Sequence, residues 1–310
     1  MPLHQSAEML LELMKASGLE FTLDADPQAV RANMELMTGM VPKHPVYEVY
    51  DTVLATAVRD ISVRVYRPSD APNQPLLVWL HGGGWVIGSV DSHDQLCRLL
   101  CDATGAMVVS VEYRLAPEST FPAAVEDSVA VWDWVNQHAA DLGADPERIA
   151  LGGDSAGGNL AAVTCLAARE SGGAQPRLQL LVYPVTDYEF ESVSMRDNGV
   201  GYFLEADSMR WFYSHYLRDE RDGADWQVSP LRADDLSGVA PALVITAEYD
   251  PLRDQGEAYG RRLQDAGVPT EIVRIEGGFH GCFGMHDFVE PAREPWDKAI
   301  ATLTGALGEG

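Results

Sequence analysis

Apolar positions along the chain fall into short, dense runs separated by longer stretches of helical period. Leu76-Leu77-Val78-Trp79-Leu80 and Leu178-Gln179-Leu180-Leu181-Val182 are nearly continuous apolar runs, the pattern of strands buried on both faces of a sheet. The same reading predicts further strands at Tyr47–Thr56, Ile61–Arg67, Met107–Tyr113, Ile149–Gly152, Ala242–Ala247 and Glu271–Ile275, and extends the two runs to Pro75–His81 and Gln179–Tyr183. Helices are expected over Asp94–Thr104, Ala123–His138, Ser155–Arg169 and Gly256–Ala266, the last closed by Gly267 and Pro269. Strands alternating with helices argue for an α/β fold, a mostly parallel sheet covered on both faces.

Two segments stand outside this alternation. Residues 1–44 precede the sheet and look helical; Glu8, Glu12 and Lys15 among the apolar residues of Met1–Leu23 suit an amphipathic helix better than a signal peptide. Residues 186–225 interrupt the alternation and carry Phe203, Met209, Trp211, Phe212, Tyr213 and Tyr216. An aromatic insertion at that point is expected to cap the end of the sheet where α/β folds bind ligands. Its aromatics would be shared between a core of its own and a pocket wall, with Phe203, Trp211 and Phe212 the residues expected at the wall. The expected organisation is thus cap helices at 1–44, a core at 45–185 and 226–310, and an inserted cap at 186–225.

Length and composition narrow the classes. A chain of 310 residues with 46% hydrophobic content can bury one large core. No stretch approaches the ~20 apolar residues of a membrane span, so a cytoplasmic protein is the expectation. Acidic residues outnumber basic ones 47 to 22, a balance that repels polyanions and disfavours nucleic acid and anionic membranes as partners. The four cysteines, Cys97, Cys101, Cys165 and Cys282, have neither disulfide-framework nor zinc-site spacing. The first three read as buried free thiols; Cys282, two residues after a candidate catalytic histidine, reads either as a small buried hydrophobe that never reacts or as a thiol that borders the site and reacts partially with thiol reagents.

The chemistry is carried by two motifs. Gly153-Asp154-Ser155-Ala156-Gly157-Gly158 is a G-x-S-x-G run between an apolar strand and a run of small apolar residues that reads as helix. That context is a nucleophile elbow, a turn tight enough to require glycine on both sides and to leave Ser155 exposed at the strand end. His81-Gly82-Gly83-Gly84-Trp85 follows another strand and is the type of loop that presents backbone N–H groups to an oxyanion. Together they point to a serine hydrolase.

A serine hydroxyl needs a base, and the base an orienting acid. On this fold they follow the serine in the order acid, then histidine. Of the histidines after Ser155, His215 lies in the insertion and His286 near the last helical region. His280, in the Gly-rich stretch Glu276–Gly281 after the last strand, is the expected base. For the acid, Asp250 sits just past a strand end and before Pro251, with Glu248 and Asp254 as competitors.

With these residues in view, the chain resembles the hormone-sensitive-lipase-like family of α/β-hydrolases, the bacterial family IV esterases. The resemblance rests on His81–Trp85, Gly153–Gly158, Asp250–Asp254 and Gly278–Gly281 in that order. It is extended by Tyr113-Arg114-Leu115-Ala116-Pro117-Glu118 with Phe121-Pro122-Ala123-Ala124, and by Tyr202-Phe203-Leu204 with Trp211-Phe212. It implies an eight-stranded α/β-hydrolase fold with a helical cap and carboxylesterase activity on short- to medium-chain acyl esters. It also implies a triad of Ser155, His280 and Asp250, and an oxyanion hole of the Gly83, Gly84 and Ala156 N–H groups. No cofactor and no metal are needed, the partner is a small ester, and a homodimer is left open. His81, Trp85 and Asp154 are read as shaping these loops, and Tyr113, Arg114 and Asp127 as structural. Two other readings stand beside it: a small-substrate amidase on the same triad, and a non-catalytic ligand-binding protein. The plant gibberellin receptors resemble the family but lack the histidine, which His280 here supplies.

Overall fold

Successive side chains of a strand point to opposite faces, and in the central strands both faces are buried. Leu76, Val78 and Leu80 join one apolar cluster, and Leu77 and Trp79 the other. Val244 lies on the first side, between Leu243 and Ile245 on the second. The computed structural model describes residues 2–16 and 25–308. Its strands are β1 (Glu48–Ala55), β2 (Asp60–Arg67), β3 (Gln74–Leu80), β4 (Met107–Val111), β5 (Ala144–Asp154), β6 (Gln179–Val182), β7 (Ala242–Tyr249) and β8 (Thr270–Phe279). They form a single sheet in the order β1-β2-β4-β3-β5-β6-β7-β8. β1 and β2 pair antiparallel, as do β2 and β4; all later pairings are parallel.

The helices are α1 (Gln5–Ala16), α2 (Pro27–Gly39), α3 (Asp94–Thr104), α4 (Ala123–His138), α5 (Ala156–Ser171), α6 (Val193–Asn198), α7 (Ala206–Tyr216), α8 (Arg253–Asp265) and α9 (Arg293–Leu307). α4, α5 and α8 contribute to the cluster on one face of the sheet, and α1, α3 and α9 to that on the other. Parallel strands bring their carboxyl ends to one edge. Leu80 pairs with Gly153, Asp154 with Val182, Val182 with Ile245, and Tyr249 with Phe279. The loops after β3, β5, β7 and β8 therefore emerge side by side.

Several boundaries differ from the sequence reading. β5 begins at Ala144 rather than Ile149, because Ala144 pairs with Gln74 across a register irregularity. β8 continues through Gly277 and Gly278 to Phe279. The strand bulges there: Ile275 pairs with Ala247 and Phe279 with Tyr249, Gly277 takes a φ of 74° open to glycine, and His280 directly follows the strand. His286 closes a short 3-10 turn at Phe283–Met285, ahead of the last helix, which starts at Arg293. The expected N-terminal helix is present as α1; residue 1 and residues 17–24 of that expectation lie outside the described residues.

The inserted segment packs as part of the main core. Met209, Trp211, Phe212, Tyr213 and Tyr216 are buried in the same cluster as α4 and α5, so these aromatics extend the main core instead of building a separate one. α6 is tied to the turn after β7, where Ser194 Oγ donates to Pro251 O at 2.8 Å and Ser194 N to Asp254 Oδ2 at 2.8 Å. α2 is anchored by Arg31, whose guanidinium donates to Val86 O and Ala116 O, each at 2.7 Å, and to Glu118 at 2.8 Å. Among the described residues no helix is long and apolar enough to cross a membrane.

Asp127 on α4 is fully buried, and its carboxylate gathers Arg114 Nη2 at 2.8 Å, Arg114 N at 2.9 Å and Arg59 Nε at 3.1 Å. It pins the β1–β2 turn and the segment after β4 to one helix. Asp127→Ala leaves those donors without their acceptor and should destabilise the fold by about 3 kcal/mol, read as a lower denaturation midpoint with the m-value unchanged.

All four cysteines are buried and unpaired. The reading in which Cys282 borders the site is corrected: its side chain is 0% exposed and burial pushes the thiol up to about 12. A neutral thiol without access to reagent is inert. A maleimide should label Cys282 only after denaturation; rapid labelling of the native protein, read by mass spectrometry, would contradict this burial.

Candidate active site

Ser155 joins β5 to α5 in a conformation rarely taken by a residue with a side chain, φ 55° and ψ −118°. Such a backbone costs roughly 1–3 kcal/mol and persists only where its surroundings over-determine it. Here Ser155 N donates to Val182 O at 2.8 Å, while Ser155 O accepts from Asn159 N at 3.0 Å and Val185 N at 3.2 Å. The flanking glycines are required by space: a Cβ on Gly157 would stand 1.9 Å from Leu80 O, and one on Gly153 2.4 Å from the Gly157 backbone. The result is a hydroxyl at the N-terminus of α5, where the helix dipole favours negative charge.

His280 stands at the end of β8 and Asp250 just past the end of β7. Their rings and carboxylates meet although 125 residues separate His280 from Ser155: His280 Nε2 lies 3.0 Å from Ser155 Oγ, and His280 Nδ1 lies 2.8 Å from Asp250 Oδ2. Because a carboxylate only accepts, Nδ1 holds the ring proton and Nε2 presents its lone pair to the serine hydroxyl. Asp250 is fully buried, and its other oxygen accepts from Leu252 N at 2.8 Å.

The competing residues have other partners. Glu248 accepts from Gly277 N at 2.7 Å, and Asp254 lies in the first turn of α8, bound to α6. His286 stacks on Trp296 at 4.3 Å, and His215 packs edge-on to Trp211 at 4.8 Å.

The glycine loop leaves β3 beside the elbow. Gly83 and Gly84 have φ of 118° and 57°, open to glycine and strained for other residues. Gly83 O accepts from Val86 N and Ile87 N, at 3.1 and 2.9 Å, closing a tight turn. Ala156 is the first residue of α5, so its N–H has no carbonyl acceptor within the helix. The loop is tied to the elbow by Asp154, which accepts from Gly82 N at 3.1 Å. Beneath it His81 stacks on Tyr113 at 4.2 Å, and Tyr113 OH donates to His81 O at 2.7 Å. Burial pushes His81 down to about 3, so it stays neutral and takes no part in proton transfer at ordinary pH.

Of the aromatics expected at a pocket wall, Phe212 lies directly over the loop: a Cβ on Gly84 would fall 2.2 Å from its ring. Phe203 (φ 73°) reaches the His280 loop, 3.4 Å from where a Cβ on Gly281 would stand. Trp211 is buried behind Phe212 at 5.1 Å and donates its indole N–H to Ala25 O. A separate groove of about 470 Å³, lined by Val58, Val125, Trp134 and His138, includes none of the three hydrogen-bonded residues. Among the described residues no group of three or more His, Cys, Asp or Glu side chains is arranged to hold a metal ion.

Two contacts escape sequence reasoning. Tyr183, with φ 35°, places its ring 4.5 Å from that of His280. His93 lies 3.3 Å from Asp154 Oδ2. No spacing announces either, since each contact is made by the packing of segments distant in sequence.

Residues 77–284 match the family described as alpha/beta hydrolase fold. A carboxylic ester hydrolase of Mycobacterium tuberculosis is 43% identical over 98% of this chain and 83% of its own length. An ethyl acetate hydrolase of Pseudomonas putida is 44% identical over 82% of this chain and 81% of its own. A solved hyperthermophilic esterase from the archaeon Pyrobaculum calidifontis superposes with a TM-score of 0.93 at 41% identity, covering 99% of this chain and 100% of that one. A family match of that length, with esterases of such identity along most of the chain, leaves a single assignment: this chain belongs to the hormone-sensitive-lipase-like family of α/β-hydrolases and is a carboxylic ester hydrolase.

Proposed function

We propose that the protein hydrolyses short- to medium-chain acyl esters through an acyl-enzyme on Ser155. The observation that carries this reading is the unbroken chain from Ser155 Oγ through His280 to Asp250, with contacts of 3.0 and 2.8 Å. Ser155 Oγ attacks the ester carbonyl carbon as His280 Nε2 takes its proton. Asp250 stabilises the imidazolium. The tetrahedral oxyanion is held by the N–H groups of Gly83, Gly84 and Ala156, with the α5 dipole adding to the same field. Collapse breaks the bond to the alcohol oxygen, which His280 protonates as it leaves. Water then adds to the acyl-enzyme while His280 takes its proton. Release of the acid returns that proton to Ser155.

The substrate class is supported by Phe212 over Gly84 and Phe203 beside Gly281, which narrow the space next to the reacting groups. It is supported also by the relative that hydrolyses ethyl acetate. In this reading α2 and the segment carrying α6 and α7 act as the cap, with Trp211 bracing Phe212. An amide hydrolysed by the same triad is the second reading; paired ester and amide substrates with one acyl group separate the two.

Ser155→Ala should lower kcat by about four to six orders of magnitude without changing the denaturation midpoint downward, and an organophosphate should label Ser155 alone. His280→Ala should be about as damaging, and the double variant little worse, because the two act as one unit. Full activity in Ser155→Ala would overturn the triad assignment.

Acyl chains shorter than roughly eight to ten carbons should be preferred, as expected for a pocket of small-ligand size. Phe212→Ala should move the optimum towards longer chains in a series of 4-nitrophenyl esters. A wild type that hydrolyses long-chain triglyceride emulsions better than short soluble esters refutes this preference.

A further inference from the structure

Among the described residues, Asp154 has a position unlike that of any other carboxylate. It directly precedes Ser155, is nearly buried, and is shared between two segments that converge on the elbow. Oδ1 accepts from Gly82 N at 3.1 Å, and Oδ2 lies 3.3 Å from His93 Nε2. Gly82 N is itself 3.3 Å from the same His93 nitrogen. The packing is close enough that a Cβ on Gly82 would stand 2.3 Å from Asp154 Oδ2. Burial would raise the Asp154 carboxyl, but the charge and hydrogen bond of His93 hold it below the ordinary range. Asp154 is therefore a carboxylate, and a buried carboxylate needs donors.

His93, at the N-terminus of α3, is pinned at its other nitrogen. Nδ1 lies 2.9 Å from Ser92 Oγ, which is itself 2.9 Å from Ser89 O, so the other nitrogen, Nε2, is the one that faces Asp154 and Gly82. Protonated there, it donates to Asp154; unprotonated, it accepts from Gly82 N–H. In either state the ring bonds one member of the Asp154–Gly82 pair, and in neither does it reach Ser155.

We propose that His93 is a positioning residue for the oxyanion-binding loop: by holding Asp154 and Gly82 it sets the aim of the Gly83 and Gly84 N–H groups. The proposal rests on the oxyanion-hole reading above. Full negative charge on the substrate oxygen exists only in the tetrahedral state, so a misaimed loop penalises the transition state and spares substrate binding. Outer contacts of this kind change activity by about 10–100-fold where they orient an inner group.

The test compares the wild type with His93→Ala and His93→Gln, using a short-chain ester as substrate. A trifluoromethyl ketone of matching length, whose adduct with Ser155 is an oxyanion, is set against the corresponding methyl ketone. His93→Ala should lose about 10–100-fold in kcat with KM nearly unchanged. Its affinity for the trifluoromethyl ketone should weaken by the same factor as kcat/KM, while methyl ketone binding stays level. His93→Gln, whose amide can still donate to Asp154, should recover most of both losses. Wild-type kcat in His93→Ala overturns the proposal, as does a fall in kcat with trifluoromethyl ketone affinity unmoved. Should His93→Ala not fold, His93→Gln and His93→Asn carry the same comparison, with the shorter amide the weaker in both kcat and ketone affinity; equal values for the two refute positioning. If the wild-type enzyme turns over ester yet binds the trifluoromethyl ketone no better than the methyl ketone, the oxyanion-hole reading itself fails, and the proposal with it.

Discussion

Between Gly157 and the carbonyl oxygen of Leu80 there is no room for one more carbon; a Cβ there would lie 1.9 Å from the oxygen. That contact sets the distance between the first turn of α5 and the end of β3. Because the two are this close, the chain must reverse within Ser155 alone, at φ 55°. The loop leaving β3 at His81 then has no path except past the serine. Nucleophile, helix N-terminus and glycine loop are thus consequences of one close approach, stabilised by the Leu80–Gly153 pairing of the strands beneath. The strain at Ser155, roughly 1–3 kcal/mol, is offset by the backbone hydrogen bonds that hold it and by the packing of α5, whose residues Ala156 to Leu166 are all buried.

Charge inside this edge of the sheet is arranged in two carboxylate–imidazole pairs. Asp250 and His280 are 2.8 Å apart, and Asp154 and His93 3.3 Å apart. The first turns His280 Nε2 towards the serine hydroxyl, 3.0 Å away. The second connects the glycine loop to the residue before the serine. His81, between loop and core, is kept neutral by its burial, so it fills space and orders carbonyls without adding charge. The interior thereby holds ionisable groups on both sides of Ser155, each carboxylate with its own donors, as buried charge requires.

The segments outside the alternation meet the site through few but well-defined contacts. Arg31 joins α2 to the carbonyls of Val86 and Ala116, and Trp85, next to the glycine loop, stacks on Tyr216 of α7 at 4.2 Å. Phe121 N donates to Tyr216 O at 2.9 Å. Helix placement over the carboxyl ends of the strands is therefore linked mechanically to the loop that surrounds the reacting groups.

By itself the sequence determined the strand and helix succession, the elbow, the glycine loop and the family. These are local signals: runs of apolar residues with a definite period, and glycines required by a backbone within a few residues of themselves. It also narrowed the base to His280 and the acid to Asp250 by their places after strand ends. Only the tertiary structure decided the rest. The antiparallel β1 and β2, the extension of β8 through Gly277 and Gly278, and the burial of Cys282 depend on partners distant in sequence. So do the buried state of Trp211 behind Phe212, the contact of Tyr183 with His280, and the capture of Asp154 by His93 from 61 residues away. The physical reason is common to all of them. A strand's or helix's period fixes which way a side chain points, but strand register and the packing of helices and loops fix what it meets, and both are properties of the assembled fold.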